Sequence, residues 1–523
     1  MLLGGSQVGT GVVGNGHTPS PPRTTGVAER LSYRGRMTTH AVAAPEVDTS
    51  AGRVRGVWRG ESAAFLGIPF AEPPVGELRF AAPVPARPWR GVRDATQHGP
   101  TAQRTALSEI TLIPEPSIPG ESTLNVDVYT PSPSADERRP VLVWIHGGGY
   151  VAGSPASPWY DGRSFNRDGV VTVSVSYRLG FDGFGWIEGA PSNRAVRDWL
   201  LALEWVRTNI AAFGGDPARV TVAGQSAGGG AVLTLLGMEA AQHLFARVYS
   251  LSGAIGDVPE AKARGLAHLL AERAGVEPTL DGFRSVSEGR LLELQNGLSS
   301  SDESDDPLAR LASLADGLTF GPVLDGDLLH RPTLESLRLG VGADKELVAG
   351  ATEDEFPIGL DDGARLLDGL PTAAVLAKAG LREPALEAYL EAHHGFSTSK
   401  VVQDLLTDRV FRSLALAAAD ARPDGRTWLY RFGFVSPTLH AAIHCIDVPF
   451  WFDCLDADRV TALTGPEPPQ TLADEAHGAA VRFVATGDPG WPTHSRAQGE
   501  VMRFGDPSRV VDDGYRDVRP LLG

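Results

Sequence analysis

The stretch Val220-Thr221-Val222-Ala223-Gly224-Gln225-Ser226-Ala227-Gly228 decides the fold class predicted for this chain. Its first three residues are typical of a strand, and the run from Gly229 to Leu236 is typical of a helix. A Gly-x-Ser-x-Gly motif between a strand and a helix matches the nucleophile elbow, a sharp turn that raises the serine hydroxyl above the sheet edge. A side chain at Gly224 or Gly228 would crowd that turn. The pattern therefore predicts Ser226 as a nucleophile, whereas the five letters alone would leave a glycine-rich turn as an equal alternative.

A second glycine-rich segment follows a run that is suited to a buried strand. Val141–Ile145 is continuously apolar, and His146-Gly147-Gly148-Gly149-Tyr150 comes directly after it. Attack of a serine on a carbonyl places negative charge on oxygen, and N–H donors aimed in advance stabilise that charge. A flexible loop and a dinucleotide phosphate cradle are the alternatives, but no Gly-x-Gly-x-x-Gly motif opens a helix here. We therefore predict an oxyanion hole made by the N–H groups of Gly148, Gly149 and Ala227.

Four further stretches carry a more specific resemblance. They are Phe65–Phe80, Ser176–Gly180, Asn209–Pro217, and Gly487-Asp488-Pro489 with Trp491-Pro492. Together with the elbow they resemble the motifs of type-B carboxylesterases, the α/β-hydrolase family that includes bacterial p-nitrobenzyl esterases and the cholinesterases. The resemblance implies an α/β-hydrolase fold, with a central, mostly parallel sheet flanked by helices and helical insertions that form a cap over the gorge. It also implies a serine carboxylic-ester hydrolase that acts through an acyl-enzyme.

The acidic member of the triad is assigned through the same resemblance. A carboxylate is expected between the serine and the histidine in chain order, but the sequence has 64 acidic residues, so composition cannot select one. The family's glutamate lies in an Asp-Glu-Gly turn after a strand, and Leu347–Phe356 is similar to that segment. This implies Glu355 rather than Asp354 or Glu353. Phe356 departs from the family pattern, which has glycine there, so its side chain should turn into the pocket or shift the turn.

The base is expected to be a histidine, because the pKa of its imidazole lies near neutrality. Among the 13 histidines, His444 begins a segment, His444–Phe450, that is similar to the family's histidine with an acid three residues later. His440 lacks that context. The resemblance then implies that Ser226 attacks, His444 relays its proton and Glu355 orients the imidazole.

Other histidines are assigned to structure. His146 is expected to hold the glycine loop through a hydrogen bond. The adjacent pair His393-His394 is expected to be solvated surface, because neighbouring side chains on a helix diverge. The acyl-transfer chemistry requires no metal and no organic cofactor.

Composition narrows the class of partner. The formal net charge is −17, from 47 basic and 64 acidic residues, which disfavours nucleic acid and anionic membranes. No apolar stretch is long enough to span a bilayer. The family resemblance implies a small-molecule ester substrate as the partner, and the composition agrees with this.

Cysteine usage favours a cytoplasmic setting. Secreted members of the resembled family usually carry a disulfide at an Asp-Cys-Leu segment, where this chain has Glu121-Ser122-Thr123-Leu124. No secretory signal is recognised either. The chain has two cysteines, Cys445 and Cys454, so the sequence permits one intramolecular disulfide between them.

The chain divides into a leader and one catalytic domain. Residues 1–36 are rich in Gly, Pro, Ser, Thr and Arg, so a disordered leader is expected over residues 1–45, with Met37 as a candidate true start. Residues 46–523 are expected to form a single α/β-hydrolase domain, with helical insertions around 257–318 and 364–421. Alternation of strands such as Val171–Ser176 with helices such as Asp198–Thr208 predicts a mainly parallel sheet.

The substrate remains open at this level, although small to medium apolar esters are expected. The same residues would serve an amidase, a carbamate hydrolase or a lactonase, and a non-catalytic adhesion-type relative would share the fold. Six aromatic residues are candidates for the wall of an apolar gorge: Tyr150, Phe181, Phe184, Trp186, Phe356 and Phe432.

Overall fold

The apolar run Val141–Ile145 shows how this sequence builds a sheet that is covered on both faces. Val141, Val143 and Ile145 pack into one hydrophobic core, while Leu142 and Trp144 pack into a second core on the opposite face. Successive side chains of a strand point to opposite faces, so a run without polar positions needs helices on both sides. The helix Arg194–Asn209 contributes Trp199 to the first core, and the helix Gln470–Thr486 contributes Phe483 to the second.

The structure is a computed structural model, and it describes residues 43–102, 104, 113–299, 317–357, 362–423 and 425–522. The predicted leader lies outside the described residues except for its last three positions. Ala44–Gly523 forms one compact unit.

Sixteen strands occur in the described residues. In chain order they are β1 (Glu46–Asp48), β2 (Arg53–Arg55), β3 (Val57–Arg59), β4 (Ser62–Pro69), β5 (Val92–Asp94), β6 (Asn125–Thr130), β7 (Arg139–Ile145), β8 (Val171–Val175), β9 (Gly215–Gln225), β10 (Arg247–Leu251), β11 (Val258–Pro259), β12 (Val323–Leu324), β13 (Glu346–Thr352), β14 (Thr427–Phe432), β15 (Val501–Phe504) and β16 (Arg509–Val511).

The central sheet has 11 strands in the order β16-β15-β14-β13-β10-β9-β7-β8-β6-β4-β3. All pairs from β15 to β8 are parallel, and the strands at both edges pair antiparallel. This confirms the predicted mostly parallel sheet. Strands β1, β2 and β5 form a small separate sheet, and β11 pairs with β12.

The helices surround the sheet and are concentrated after the elbow. Their bounds are Arg163–Arg167, Gly180–Phe184, Arg194–Asn209, Ala227–Leu236, Glu260–Ala274, Leu280–Arg284, Glu288–Ser299, Thr333–Arg338, Asp362–Asp368, Thr372–Lys378, Ala385–Ala392, Thr398–Thr407, Ser413–Asp420, Val448–Trp451, Val460–Thr464 and Gln470–Thr486, with a π-helical turn at Asp408–Arg412. Helices fall in both ranges predicted as insertions, while the domain boundaries themselves stay a prediction. Within the described ranges, no helix is both long and apolar enough to cross a lipid bilayer.

Parallel pairing brings the functional segments to one edge of the sheet. Ile145 lies beside Gly224, and Leu251 lies beside both Gln225 and Gly350. The carboxyl ends of β7, β9 and β13 therefore lie together, and the segment after each of them opens into the same space.

Candidate active site

Ser226 occupies a strained turn between β9 and the helix Ala227–Leu236. Its φ is 59° and its ψ is −123°, a conformation that costs a non-glycine residue roughly 1–3 kcal/mol. The surrounding backbone holds this turn: Ser226 N donates to Leu251 O at 2.9 Å, and Ser226 O accepts from Gly230 N at 2.9 Å. The predicted elbow is thus present in the structure.

The two glycines of the motif are required by close backbone contacts. A Cβ atom on Gly228 would lie 2.0 Å from the carbonyl oxygen of Ile145, and one on Gly224 would lie 2.5 Å from the backbone of Gly228. Because backbone atoms cannot move aside as a flexible side chain does, neither position accepts a side chain.

An apolar cavity of about 180 Å³ opens in front of Ser226. The sheet edge supplies part of its wall: Gly147, Gly148, Gly149, Gln225, Ser226, Ala227 and His444. The remaining wall comes from other segments: Ile113, Glu115, Ala254, Leu318, Phe356, Val410 and Phe411. Ser226, His444 and the three predicted oxyanion donors therefore share one cavity.

The glycine loop is shaped to present its N–H groups. Gly148 and Gly149 have positive φ values of 104° and 61°, and the Gly148 carbonyl accepts from Ala152 N at 2.9 Å. In the part of the chain that the structure describes, the N–H groups of Gly148, Gly149 and Ala227 donate to no protein acceptor. Donors that are fixed in the wall of a cavity and not paired within the protein can bind an oxyanion.

His146 holds this loop, as predicted. Its Nδ1 donates to Gly147 O at 2.8 Å, and its ring stacks on Tyr177 with centroids 4.5 Å apart. Burial lowers the pKa of His146 to about 4, so the imidazole stays neutral near pH 7 and adds no charge to the loop.

Glu355 and His444 form the buried pair that the sequence predicted. Nδ1 of His444 donates to Oε2 of Glu355, while Oε1 accepts from Thr352 N at 2.8 Å. The backbone joins them as well, because His444 N donates to Glu355 O at 2.8 Å. Both side chains are buried. The carboxylate therefore fixes the orientation of the imidazole and its tautomer, with the proton on Nδ1.

Burial and the neighbouring side chains act in opposite directions on the protonation of His444. Burial opposes it, but the Cys445 and Glu355 side chains outweigh burial and hold the pKa of His444 above its usual value. Burial also raises the pKa of the Cys445 thiol, so that thiol is neutral near pH 7. The attraction for a proton on His444 therefore comes from Glu355.

The two neighbouring carboxylates point elsewhere. Glu353 pairs with Arg431 and with Arg503, whose Nε lies 3.2 Å away. Asp354 accepts from Lys400 at 3.1 Å and from Ala442 N at 3.0 Å. Neither Glu353 nor Asp354 contacts the imidazole.

Phe356 turns into the cavity, which is one of the two outcomes expected from its departure from the family pattern. Its ring centroid lies 4.9 Å from that of His444, and Phe411 lies at 4.9 Å from the same imidazole. Of the six aromatic candidates, only Phe356 lines this cavity in the described residues. Tyr150, Phe181, Phe184 and Phe432 are buried in the cores, and Trp186 is packed against one of them.

Several wall residues were not identified from the sequence. Val410 and Phe411 lie on the π-helical turn, and no motif marks them. Glu115 is the acidic residue among the described residues of the wall, and burial raises its pKa to about 8. Its position in an apolar cavity comes from tertiary packing, which a sequence with many carboxylates does not reveal.

The other predicted polar residues have structural places. His440 is exposed and does not line the cavity. The expectation of a solvated His393-His394 pair is wrong for His393, which is buried and stacks on Tyr389 at 4.0 Å, while His394 is exposed. Cys445 and Cys454 are buried free thiols, so they do not pair.

Comparisons with known proteins agree with this geometry. The model of the carboxylesterase family matches residues 43–519. The chain is 34% identical to phenmedipham hydrolase of Pseudarthrobacter oxydans, over 89% of this chain and 96% of that protein. It is 30% identical to para-nitrobenzyl esterase of Bacillus subtilis, over 91% of this chain and 98% of that protein.

Solved structures show the same relationship. A PNB esterase structure superposes with a TM-score of 0.80 and 30% identity, covering 92% of this chain and all of that one. A Geobacillus stearothermophilus carboxylesterase gives a TM-score of 0.78 at 30% identity, covering 91% of this chain and 99% of that one. The chain therefore belongs to the carboxylesterase family of α/β-hydrolases and is a carboxylic-ester hydrolase.

Proposed function

We propose that Ser226, His444 and Glu355 are the catalytic triad of this ester hydrolase. The observation that carries the proposal is the cavity itself: it places Ser226 and the Glu355-oriented imidazole in one wall with three unpaired N–H groups. These are the groups that acyl transfer from a bound ester carbonyl requires.

In acylation, Ser226 Oγ attacks the carbonyl carbon of the ester while Nε2 of His444 takes the hydroxyl proton. The carbonyl oxygen becomes an oxyanion, and the N–H groups of Gly148, Gly149 and Ala227 stabilise it. His444 then gives its proton to the leaving alcohol, and the C–O bond to that alcohol breaks. Glu355 stabilises the imidazolium without taking the proton itself.

In deacylation, water repeats these steps on the acyl-enzyme. His444 removes a proton from water, the hydroxide attacks the acyl carbon, and Ser226 leaves with the proton returned by the imidazolium. The product is the free carboxylic acid.

We infer small to medium apolar esters as the preferred substrates. Ile113, Leu318, Phe356 and Phe411 contribute apolar walls, and the cavity volume of about 180 Å³ suits a short acyl or alcohol group. A panel of p-nitrophenyl esters of increasing acyl length should give kcat/KM values that rise at first and fall once the chain outgrows the cavity.

Labelling with an organophosphate tests the nucleophile. Mass spectrometry should find one adduct, on the peptide that contains Ser226, and Ser226→Ala should abolish both adduct and turnover. Ser285→Ala removes an exposed serine hydroxyl far along the chain and should change neither. An adduct on another residue, or full turnover in Ser226→Ala, would exclude Ser226 as the nucleophile.

A carbamate hydrolase remains the second candidate, because the same residues would act on a carbamate and the chain is similar to phenmedipham hydrolase. Matched p-nitrophenyl ester and carbamate substrates, which share one leaving group, separate the two. A larger kcat/KM on the ester supports the first proposal, and a larger value on the carbamate supports the second.

A cytoplasmic location also stays a proposal. It is supported by the two buried free thiols, since cysteines remain reduced in a reducing compartment. Fractionation of the source cells, with a periplasmic or secreted enzyme as marker, would test it.

A further inference from the structure

The imidazole of His444 has a second polar partner besides Glu355. Nε2 of His444 lies 3.1 Å from Nε2 of Gln225, and both side chains are buried, with relative exposures of 5% and 1%. Gln225 is the last residue of β9, directly before Ser226. Among the described residues, no hydrogen bond joins Ser226 Oγ to His444, so the atom that should accept the serine proton is occupied by the amide.

The direction of this hydrogen bond follows from the other end of the ring. In the neutral imidazole, the form that can accept the serine proton, Nδ1 carries the proton because it faces the Glu355 carboxylate, and Nε2 has only a lone pair. The amide nitrogen of Gln225 can donate to that lone pair. The amide oxygen of Gln225 faces Gly147, and a Cβ atom on Gly147 would lie 3.0 Å from it. The amide nitrogen is therefore the end that faces the imidazole.

We propose that Gln225 is a positioning residue for the base: its amide holds the lone pair of His444 in the cavity before substrate binds, and yields that lone pair to Ser226 when the ester enters. The inference rests on the proposed triad. The Gln225 amide also opposes the effect of Glu355. A donor to Nε2 stabilises the neutral imidazole, whereas the carboxylate stabilises the imidazolium. Gln225 thereby keeps more of the base in the form that can accept a proton.

The acid limb of the pH profile of kcat/KM reports the protonation of His444. Four other titratable groups lie near the imidazole or in the wall of its cavity. Glu355 contacts Nδ1, and Cys445 and Asp447 lie on the histidine's own segment. Burial, together with Glu355, raises the pKa of Asp447 to about 7, and its Oδ2 accepts from Tyr430 at 3.1 Å. Glu115, with a pKa of about 8 from burial, lines the same cavity. The test must therefore separate His444 from these carboxyl groups.

Two substitutions of Gln225 should displace the acid limb of kcat/KM in a defined order. Gln225→Met keeps the size of the side chain and removes the donor, so the limb should move to higher pH by about half a unit, the worth of one neutral hydrogen bond. Gln225→Glu places a carboxylate beside Nε2 and should move the limb up by about one unit or more. Hydrolysis of p-nitrophenyl acetate measures kcat/KM, and titration with an organophosphate gives the concentration of folded, competent sites for each variant.

Gln295→Met is the matched control, because Gln295 is also buried and accepts from Phe181 N at 2.8 Å without contacting His444. Its limb should coincide with that of the unaltered enzyme. The acid limb should keep the same order of pH, from the unaltered residue through Gln225→Met to Gln225→Glu, when each is combined with Glu115→Gln.

Two results would overturn the inference. The first is an acid limb of kcat/KM in Gln225→Met at the same pH as in the unaltered enzyme, or at a lower pH. The second is a shift of that limb that disappears when Glu115→Gln is also present. If Gln225→Met does not fold, an unmoved limb in the isosteric Gln225→Glu variant would overturn the inference as well. Both results differ from a failure of the proposed triad, which would show as an organophosphate adduct outside Ser226.

Discussion

At the residue scale, three consecutive carboxylates after β13 have three different sets of partners. Glu353 contacts arginines, Asp354 contacts Lys400 and the backbone of Ala442, and Glu355 contacts His444. A one-residue step at the end of a strand sends the side chain in another direction, which separates Asp354 from Glu355, and Glu353 is held away from the imidazole by its arginine partners.

Exchanging the carboxylate for an amide at adjacent positions should separate these roles. Glu355→Gln should lower kcat by about 10³-fold to 10⁴-fold, because an amide cannot stabilise the imidazolium and favours the wrong tautomer. Asp354→Asn should lower kcat less than about tenfold, since its one amide oxygen keeps one of the two contacts, to Lys400 or to Ala442 N, and residue 354 does not touch the imidazole. Steady-state kinetics at the plateau of the pH profile measures both, and a crippled Asp354→Asn with a near-normal Glu355→Gln would contradict the assignment.

The base is tested by a pair of histidines four residues apart. His444→Ala should reduce kcat by several orders of magnitude, because triad members act as a unit. His440→Ala should keep most activity, since His440 is exposed and outside the cavity wall. Residual activity of His444→Ala similar to that of His440→Ala would remove His444 from the mechanism.

At the scale of elements, the glycine loop after β7 depends on backbone space that differs between neighbours. A Cβ atom on Gly148 would lie 2.2 Å from the carbonyl oxygen of Ala152, whereas one on Gly149 would meet only Val151 at 3.9 Å. Loss or displacement of one oxyanion donor typically costs 10²-fold or more in kcat.

Gly148→Ala should therefore reduce kcat by about 100-fold or more, because the loop must move to accept the new methyl group. Gly149→Ala adds only the strain of a positive φ, roughly 1–2 kcal/mol, and should be clearly milder. Kinetics with p-nitrophenyl acetate, together with Tm values, would compare them. Equal losses of kcat in the two variants would mean that the glycine loop is more flexible than its backbone contacts indicate.

At the scale of the whole molecule, Glu115 should make stability depend on pH. Burial raises its pKa from the usual value of 4.5 to about 8, so between these values the folded protein retains a proton that the unfolded chain has lost. The contribution of Glu115 to the free energy of unfolding is fully present below pH 4.5 and is lost as the pH rises towards 8. The loss is at most about 1.4 kcal/mol for each pH unit between the unfolded and folded pKa values.

Glu115→Gln should therefore weaken the fall of stability between pH 5 and pH 8. Urea denaturation at several pH values would measure the free energy of unfolding of both proteins. Asp48→Asn offers a comparison on an exposed carboxylate that lies outside the cavity. An unchanged slope in Glu115→Gln would show that other groups set the pH dependence.

The leader remains a prediction from composition. A shortened chain that begins at Met37 should match the full chain in Tm and kcat, because residues 1–36 have too little apolar surface to offset the entropy of ordering them. A drop of several degrees in Tm would show that the leader packs against the catalytic domain.

The elbow and the family motifs were sufficient to predict much of the site from the sequence. Gly-x-Ser-x-Gly, the triple glycine and the segment around His444 are local patterns, in which the chemistry depends on residues that are neighbours in the chain. For the same reason the buried strand Val141–Ile145 was predictable. Glu355 also needed the family pattern, because three adjacent carboxylates look alike in sequence.

By itself, the sequence was sufficient to predict the fold class, the strand-to-helix turn at Ser226, the glycine loop and the segment of His444, since each depends on local backbone geometry or on a contiguous motif. Only the tertiary structure decided that Phe411 and Glu115 line the cavity, that His393 is buried, and that Gln225 occupies Nε2 of His444. These are contacts between segments far apart in the chain, and their geometry is fixed by strand register and helix packing, which no short stretch of sequence contains.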